Sequence, residues 1–354
     1  MYLYPQKIKE KTVTIVDRKI GEGNRCFLIA EAGTTCNGEI SIAKELIDVS
    51  AANGFDAVKF QTIWPEQISD RSITYRYKTL YGWQEENMFE MFKQLTFRPK
   101  EWKELAEYAQ SKNIIFFSTV DSLEGVEILE ACKVPLYKLG SWDVTYKPLI
   151  IKIAKKKKPV MLDLGPAYLS DIVRFIELCR QHGTKEVILM HDFHTGDPAE
   201  MNMRNICYLK NTFGTPVGFS SPDRNIDLDI IAVAKGAKVI EKRITISRKL
   251  KGHHHVLCLE PDEIQAWNER IRFAEAALGS SEIQPSNADL SDSKKYFRSI
   301  CTTRSVRKGE TYSVHNIDGK RPGSGIPTRF IEVFLGRKAK RDLKKDTLLN
   351  WDDM

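Results

Sequence analysis

The sequence has no long apolar run and no closely paired cysteines, and these two absences narrow the class of protein. No stretch of the 354 residues approaches the roughly 20 apolar residues that span a bilayer, so we predict no membrane partner. The opening segment, "MYLYPQKIKEKTVTIV", lacks the apolar core of a secretory signal, and we expect a cytoplasmic protein. The seven cysteines form no CxxC pair, which argues against a disulfide framework or a zinc knuckle.

Basic residues are scattered, although the net charge is +7. The one dense basic run is "KIAKKKKPV" at 152–160, just before an apolar strand pattern. We interpret it as the solvated end of a helix, with a phosphate or nucleic-acid patch as the alternative. A basic surface also suits the steering of small anionic substrates. We therefore predict small-molecule substrates and no nucleic-acid partner.

The sequence does contain a regular alternation of short apolar runs with amphipathic helical stretches. The predicted strands lie at 26–33, 56–62, 114–120, 136–141, 159–165, 186–192, 216–221 and 237–245. Repeated βα units favour an α/β protein with a parallel sheet, and eight of them predict a closed (β/α)8 TIM barrel. We place the barrel domain at 1–277, a polar linker at 278–295 and a small second domain at 296–354.

Active sites of such barrels lie where the strands end, and the strand ends here carry many polar side chains. Two lysines, Lys59 and Lys138, together with several hydroxyls, suit a phosphorylated or carboxylated ligand. Ordinary polar strand ends are one alternative, and a Schiff-base lysine is another. The other polar strand ends are Glu31, Gln61, Ser118, Thr119, Ser141, Asp143, Asp163, His191, Asp192, His194, Ser220, Ser221, Glu241, Lys242 and Arg243.

Longer stretches resemble the sialic acid synthases, a family of phosphoenolpyruvate-dependent enzymes that build nonulosonic acids. The resemblance rests on "LIAEAGTTCNG", "ELIDVSAANGFDAVKFQT", "FFSTVDSLEGVEIL", "YKLGSWDVTYKPLI" and "PVGFSSPDRNIDLDIIAVAKGAKVIEKRIT". It continues in "RSICTTRSVRKGETYSVHNIDGKRPGSGI", which is similar to the antifreeze-like (SAF) domain of that family. The resemblance spans nearly the whole chain in the same order, and it implies a TIM barrel followed by an antifreeze-like domain.

The resemblance also implies a reaction, the condensation of phosphoenolpyruvate with an amino-sugar aldehyde and the release of phosphate. Lys59 and Lys138 match the family lysines that bind phosphoenolpyruvate. Gln61, Thr119 and Ser141 match further family positions at the same mouth. We therefore expect these five side chains to bind substrate, and Ser220 with them.

The acceptor sugar is expected on a neighbouring part of the mouth. The family positions that contact it correspond to Glu31 and to Asp143, where glutamate is usual. The arginine of the "RPG" loop is Arg321, which in the family reaches the sugar site of the other subunit in a domain-swapped dimer. The resemblance therefore implies a homodimer, and we count Glu31, Asp143, Arg243 and His191 as candidate catalytic residues.

The departures from the family are concentrated at its metal site. The family holds a divalent ion, Mn or Mg, through two histidines, and the matching positions here are Pro222 and Arg243. Proline has no side-chain donor, and a guanidinium is not a metal ligand. We therefore expect the usual metal site to be lost and Arg243 to supply positive charge in its place.

Three adjacent histidines in "GHHHVLC" at 252–258 raise the alternative of a relocated metal site. His254 stands where the family has an aspartate that contacts the sugar, and His194 replaces an asparagine that contacts phosphate. The candidate ligands are His191, Asp192, His194, His254 and Asp163. Imidazole with carboxylate suits Mn, Fe or Zn. The other interpretation is that these residues bind an altered substrate or act as general acid or base.

Three functions fit these observations. The first is the condensing enzyme, working with or without the usual metal. The second is an enzyme that uses the same scaffold on another anionic sugar or sugar phosphate, with lyase or epimerase chemistry at Asp163, His194 and His254. The third is a sugar-binding protein without catalysis, and the retention of Lys59 and Lys138 counts against it.

Overall fold

The computed structural model describes residues 10–280 and 282–354, which form two compact units divided after Gly279. The first unit is built on eight parallel strands: β1 (Phe27–Glu31), β2 (Ala57–Thr62), β3 (Ile115–Val120), β4 (Tyr137–Leu139), β5 (Val160–Asp163), β6 (Val187–His191), β7 (Val217–Ser220) and β8 (Val239–Arg243). They are joined in chain order, and β8 pairs with β1 to close the barrel. The predicted eight-stranded barrel is therefore confirmed.

One helix follows each barrel strand. These helices are α1 (Ile40–Ala52), α2 (Pro99–Ser111), α3 (Leu123–Ala131), α4 (Lys147–Ala154), α5 (Leu169–His182), α6 (Asn205–Phe213), α7 (Ile226–Ala234) and α8 (Pro261–Leu278). Local chemistry sets several of their ends. The Ser122 side chain accepts a hydrogen bond from the backbone N–H of Gly125 at the start of α3. Gly183 ends α5 in the left-handed region at φ +115°, which glycine adopts without steric cost.

The barrel strands are buried on both faces, because the helices cover one side and the packed interior covers the other. Most of their side chains are apolar, as in "FLIAE" of β1 and "VILMH" of β6. The exceptions stand towards the carboxyl ends, where charged side chains are also buried. They include Glu31, Lys59, Lys138, Asp163 and Glu241. The fold therefore gathers charge at the mouth of an otherwise apolar barrel.

Two antiparallel hairpins are added to the barrel, and the sequence did not predict either of them. Val13–Ile15 pairs with Arg18–Ile20 ahead of β1. Thr74–Thr79 pairs with Gly82–Asn87 in the long connection between β2 and α2. That connection also contains two short helices, Pro65–Ile68 and Met88–Leu95. Single turns of 3-10 helix lie at Ser141–Asp143 and His255–Leu257 in this unit, and at Thr328–Phe330 and Trp351–Asp353 in the second.

The second unit begins at Ser280. A helix, Asn287–Tyr296, lies within the stretch predicted as an irregular linker, because Ser286 accepts a hydrogen bond from Asp289 N and starts the helix. Strand Ser299–Thr302 then pairs antiparallel with Ile317–Lys320, and a short helix follows at Ile331–Phe334. A small core packs between these elements and includes Ile300, Tyr312, Phe334 and Leu349.

The structure bears on three predictions, which concern membrane spans, cysteine pairing and the basic run. In the described part of the chain, no helix is both long and apolar enough to cross a membrane. All seven cysteines are free, and five of them are buried. The basic run at the end of α4 forms ion pairs with α3, in which Lys152 Nζ lies 2.9 Å from Glu127 and Lys158 contacts Glu130. This run is therefore the solvated end of a helix.

Candidate active site

Two buried lysines at the barrel mouth share one carboxylate. Lys138 Nζ, on β4, lies 2.8 Å from Glu241 Oε2 on β8. Lys59 Nζ, on β2, lies 3.5 Å from Glu241 Oε1. Ser220 Oγ is 3.4 Å from the same oxygen. Since one carboxylate contacts both ammonium groups, a phosphate or carboxylate of a ligand is large enough to do the same.

Each lysine has further partners of its own. Lys59 donates a hydrogen bond of 2.9 Å to Thr119 Oγ1 and contacts the carboxylate of Glu31. Lys138 Nζ lies 2.8 Å from Asp163 Oδ2. The structure therefore joins the predicted residues of β1 to β5 in one network around the two ammonium groups.

Gln61 and Gly33 complete the environment of Glu31. Gln61 Nε2 and the backbone N–H of Gly33 both donate to Glu31 Oε1, at 3.4 and 2.8 Å. A Cβ atom added to Gly33 would lie 2.3 Å from that oxygen and 2.7 Å from Gln61 Cγ. A side chain at position 33 would therefore displace Gln61 and Glu31, the glutamate that contacts Lys59.

Burial and pairing set the charges in this network. Burial raises the pKa of Asp163 to about 7, although Lys138 acts against the rise. For Glu241, burial acts upwards, but Lys138 and Lys59 outweigh it and the pKa falls below its usual range. For Lys138, burial acts downwards, but Asp163 and Glu241 outweigh it and the pKa rises. Near neutral pH, Glu241 and Lys138 are therefore charged, while Asp163 exchanges its proton.

The two positions that match the family's metal histidines lie in contact here. Arg243 Nη1 donates a hydrogen bond of 2.5 Å to the backbone oxygen of Pro222. Arg243 ends β8, two residues after Glu241, so its permanent charge lies beside the lysine pair. Neither side chain offers a donor to a metal ion, so this site does not fit the family's divalent ion.

The relocated metal site is not assembled either. Among residues 10–280 and 282–354, no three His, Cys, Asp or Glu side chains are grouped so that they could hold a metal ion. Asp192 Oδ2 and His194 Nε2 are 3.4 Å apart. His191 lies fully buried, and its Nε2 makes a 2.7 Å hydrogen bond with Met201 O. Among the described residues, His191 Nδ1 is buried without a hydrogen-bond partner, and the catalytic or metal-binding role of His191 stays a prediction.

The three adjacent histidines take three different partners. His253 packs edge-on against Tyr75 and Tyr77 of the second hairpin, with ring centroids 5.6 and 5.8 Å away. His254 Nδ1 is 3.3 Å from Thr34 Oγ1. His255 Nδ1 is 2.7 Å from Thr245 Oγ1. The run therefore anchors the loop after β8 to its surroundings, and only His254 lies beside the mouth.

The pKa values of His253 and His254 lie below the usual range of histidine, which agrees with their packing and neutral hydrogen bonds. Burial lowers the pKa of His253 to about 3, with the charges of His255 and Arg243 acting in the same direction. Burial and the neighbouring cations also hold the pKa of His254 well below its usual range. Both rings are therefore neutral at physiological pH, and they stand in the loop as hydrogen-bonding and packing groups.

The turn after β4 carries the predicted residues Ser141 and Asp143. A Cβ atom added to Gly165 would lie 2.6 Å from Ser141 Oγ and 3.5 Å from His194 Cε1, so these side chains are neighbours. Burial raises the pKa of Asp143 to about 6. Asp121, which follows β3, has its pKa raised by burial and by the charge of Asp143. Two carboxylates thus lie within electrostatic reach of each other on this side of the mouth.

Some strand-end residues predicted at the mouth face the outside of the barrel. Lys242 Nζ makes hydrogen bonds of 2.7 Å to Asp229 Oδ2 on α7 and 2.9 Å to Ser221 Oγ. Trp267 Nε1 of α8 donates to the same Asp229 oxygen at 2.7 Å. Side chains alternate along a strand, so Glu241 and Arg243 face inwards and Lys242 faces outwards. The same alternation, read from the sequence, could have indicated that Glu241 faces inwards. Glu241 was not among the residues predicted to bind substrate.

Arg321 belongs to the second unit. Its Nε donates a 2.8 Å hydrogen bond to Tyr296 O, and its guanidinium lies 5.9 Å from the centre of the Tyr296 ring. The contact of Arg321 with the sugar site of a partner subunit stays a prediction.

Comparisons with known proteins agree with this architecture. The NeuB family matches residues 46–283, and the SAF domain matches residues 297–354. An uncharacterized protein of Methanocaldococcus jannaschii is 36% identical over 344 residues, which cover 97% of this chain and 98% of that protein. The N,N'-diacetyllegionaminic acid synthase of Campylobacter jejuni is 33% identical over 330 residues, covering 92% of this chain and 99% of the synthase.

A solved structure gives the same picture. The N-acetylneuraminic acid synthetase of Leptospira borgpetersenii superimposes with a TM-score of 0.71 at 27% sequence identity, covering 80% of this chain and 95% of that one. The family match extends over more than half of the chain, and the relatives align over nearly their whole length. The chain therefore belongs to the NeuB family and ends in a SAF domain.

Proposed function

We propose that the protein condenses phosphoenolpyruvate with an amino-sugar aldehyde to form a nonulosonic acid and inorganic phosphate. The observation that carries the proposal is the pair of buried lysines, Lys59 and Lys138, that share Glu241 at the barrel mouth. Phosphoenolpyruvate carries a phosphate and a carboxylate on the same carbon, C2, and buried ammonium groups bind such anions through charged hydrogen bonds. Its binding would displace carboxylates from the lysines, and Asp163 is the one that can be neutralised by a proton near pH 7.

The proposed reaction balances with one water. C3 of phosphoenolpyruvate bonds to the aldehyde carbon, and the aldehyde oxygen takes up a proton. Water adds to C2 and phosphate leaves, so the product is a 2-keto acid. Negative charge develops on the aldehyde oxygen during the first bond formation. Fixed positive charge beside that oxygen lowers the barrier, and Arg243 is the group we assign to it.

The acceptor is assigned to the side of the mouth formed by Glu31 and Asp143. Burial raises the pKa of Asp143 to about 6, so this carboxylate is mostly ionised at neutral pH and accepts hydrogen bonds from hydroxyls. We retain the family's domain-swapped homodimer, with Arg321 supplied by the partner, as part of the proposal. No step is assigned to a metal, because Pro222 and Arg243 do not fit one.

Phosphate release from phosphoenolpyruvate tests the proposal directly. Purified protein would be assayed with a panel of N-acetylated amino sugars, with EDTA and with added Mn. We expect release that depends on an acceptor and survives EDTA. Release abolished by EDTA and restored by Mn would overturn the assignment of Arg243. No release with any acceptor would contradict the condensation and favour chemistry on another anionic sugar.

The role of Arg243 has its own variant. Arg243→Gln removes the charge, and we expect kcat to fall roughly 10²–10³-fold, as for the loss of one oxyanion donor. Arg270→Gln is the matched control, since Arg270 is exposed on α8 and lies 4.0 Å from Asp227. Its kcat should equal that of the parent protein. An unchanged kcat in Arg243→Gln would remove the arginine from the mechanism.

A further inference from the structure

Trp142 is a large aromatic side chain that is exposed to solvent near the mouth of the barrel. It is 73% exposed, although its neighbour Ser141 is buried. It stands in the 3-10 turn Ser141–Asp143 that follows β4, the strand that supplies Lys138 to the charged network.

The indole is held in place on one side. Its ring stacks on the His194 ring, with centroids 5.3 Å apart and planes 22° from parallel. His194 in turn contacts Asp192, at 3.4 Å. Gly165 allows the close approach of this layer to Ser141, because a Cβ atom there would lie 2.6 Å from Ser141 Oγ. A supported aromatic face is therefore presented beside the mouth.

Polar groups suited to hydroxyls stand next to this face. Asp143 adjoins Trp142 in the chain, and Asp121 lies within electrostatic reach of Asp143. In the part of the chain that the structure describes, neither carboxylate has a salt-bridge partner, and Asp121 Oδ1 is buried without a hydrogen bond. An aromatic face beside two carboxyl groups suits a ligand with C–H groups on one face and hydroxyls at its edge, which is the chemistry of a sugar.

We propose that Trp142 is the stacking wall for the acceptor amino sugar and sets the enzyme's affinity for it. The proposal rests on the proposed condensation, which supplies the sugar as second substrate. The π face of the indole would contact the C–H groups of the sugar or the methyl group of its N-acyl substituent. Asp143 would accept hydrogen bonds from its hydroxyls. Phosphoenolpyruvate would be held separately, by Lys59 and Lys138.

Steady-state kinetics of Trp142→Ala and Trp142→Phe test this division. With N-acetylmannosamine as the probe sugar, or the best acceptor of the panel, Trp142→Ala should raise the acceptor KM roughly fivefold to tenfold. The KM for phosphoenolpyruvate and kcat should change less than about twofold, because the charged network is untouched. Trp142→Phe should restore most of the affinity. Phe273→Ala is the control, since Phe273 is 76% exposed on α8, outside the site.

A binding measurement separates this proposal from the condensation itself. Saturation transfer from the protein to the N-acetyl methyl protons of the probe sugars needs no turnover. Binding without phosphate release, weakened in Trp142→Ala, would support the stacking wall and contradict the condensation. Phosphate release with an acceptor KM unchanged in Trp142→Ala would contradict the stacking wall alone. An absence of both binding and release across the panel would overturn both.

The same variant tests a second occupant. If the open indole were covered by another copy of the chain, Trp142→Ala would lower the molar mass measured by light scattering and leave the acceptor KM unchanged. That pair of results would also overturn the proposal.

Discussion

Two fully buried lysines lie on opposite sides of the barrel wall, and their surroundings differ in kind. Lys138 faces the interior, where it contacts Asp163 and Glu241 at 2.8 Å each. Lys242 faces the helices, where Asp229 accepts its hydrogen bond at 2.7 Å. Both side chains are 0% exposed. Burial alone therefore does not distinguish a substrate-binding lysine from a structural one.

The carboxylates that contact Lys138 and Lys242 distinguish the substrate-binding lysine from the structural one. Asp229 Oδ2 accepts a second hydrogen bond from Trp267 Nε1, and Lys242 Nζ also donates to Ser221 Oγ. The Lys242–Asp229 pair therefore links β8 to α7 and α8. Burial raises the pKa of Asp229, although Lys242, Trp267 and Ser221 act against the rise. Burial raises the pKa of Asp163, the partner of Lys138, to about 7, so Asp163 can give up its charge near neutral pH. A pair that can be neutralised can be exchanged for a ligand, whereas a pair tied to two helices holds the fold.

The largest effect is expected on catalysis when the interior lysine is removed. Lys138→Met should lower kcat/KM for phosphoenolpyruvate about a thousandfold, since truncating one partner of a buried charged hydrogen bond costs about 2–5 kcal/mol. The fold should be retained, because Asp163 can take up a proton when its cation is lost. Phosphate release and urea unfolding would be measured on the same preparation.

Lys152→Met is the control for that change. Lys152 lies on α4 and its ion pair with Glu127 is partly exposed, so we expect a free energy of unfolding within about 1 kcal/mol of the parent value and unchanged activity. A Lys138→Met protein that keeps its activity would show that the interior lysine does not bind the donor, and the comparison between the two lysines would fail.

The next effect is expected on stability when the outward lysine is removed. Lys242→Met removes the cation from Asp229, which stays buried with neutral hydrogen-bond donors such as Trp267 Nε1. We expect the free energy of unfolding to fall by about 3–5 kcal/mol, the usual result of breaking a buried pair on one side. Urea unfolding followed by circular dichroism measures it.

Substrate affinity gives the contrasting result for Lys242. In the folded fraction of Lys242→Met, the KM for phosphoenolpyruvate should stay within about twofold of the parent value, because Lys242 faces away from the pocket. If Lys242→Met were as stable as the parent protein but bound phosphoenolpyruvate more weakly, Lys242 would belong to the substrate site. That result would contradict its outward orientation.

The barrel could be predicted from the sequence because its signals are local and repeated. Eight apolar runs separated by helical stretches, with breakers such as Gly183, leave few other folds. The inward set of polar strand ends also follows from residue type and order, as for Lys59 and Lys138. The hairpin Thr74–Thr79 with Gly82–Asn87 was not predicted, because its exposed, charged strands lack the apolar alternation that marks a strand against a core.

The partners of charged groups could not be predicted, because they depend on which face of a strand each residue takes. From the sequence, Asp163 was a candidate metal ligand or a candidate group for acid/base chemistry. Its burial beside Lys138 makes it a group that titrates near neutrality. Of the three adjacent histidines, only His254 was a candidate ligand of the relocated metal site, and His253 and His255 contact different elements. Proximity in sequence did not make them neighbours of one site.

The smallest effect is expected on the pH dependence of stability and of the KM for phosphoenolpyruvate. The folded-state pKa of Asp163 is raised to about 7, whereas an unfolded aspartate titrates near 4, so the folded protein holds an extra proton between these values. The stability contributed by this proton is lost as pH rises through about 7. Above it, charged Asp163 competes for Lys138, and the KM for phosphoenolpyruvate should rise, by at most about tenfold per pH unit.

Asp163→Asn separates this effect from the titration of the substrate, which is common to both proteins. The amide cannot ionise, so the rise in KM between pH 6 and pH 8 that belongs to the enzyme should disappear, and KM at pH 8 should be lower than in the parent protein. Identical profiles for the two proteins would mean that Asp163 does not titrate in this range. The aspartate partner of Lys138 would then keep its charge state between pH 6 and pH 8. The ion pair of Lys138 inside the barrel would not differ in this property from the ion pair of Lys242 outside it.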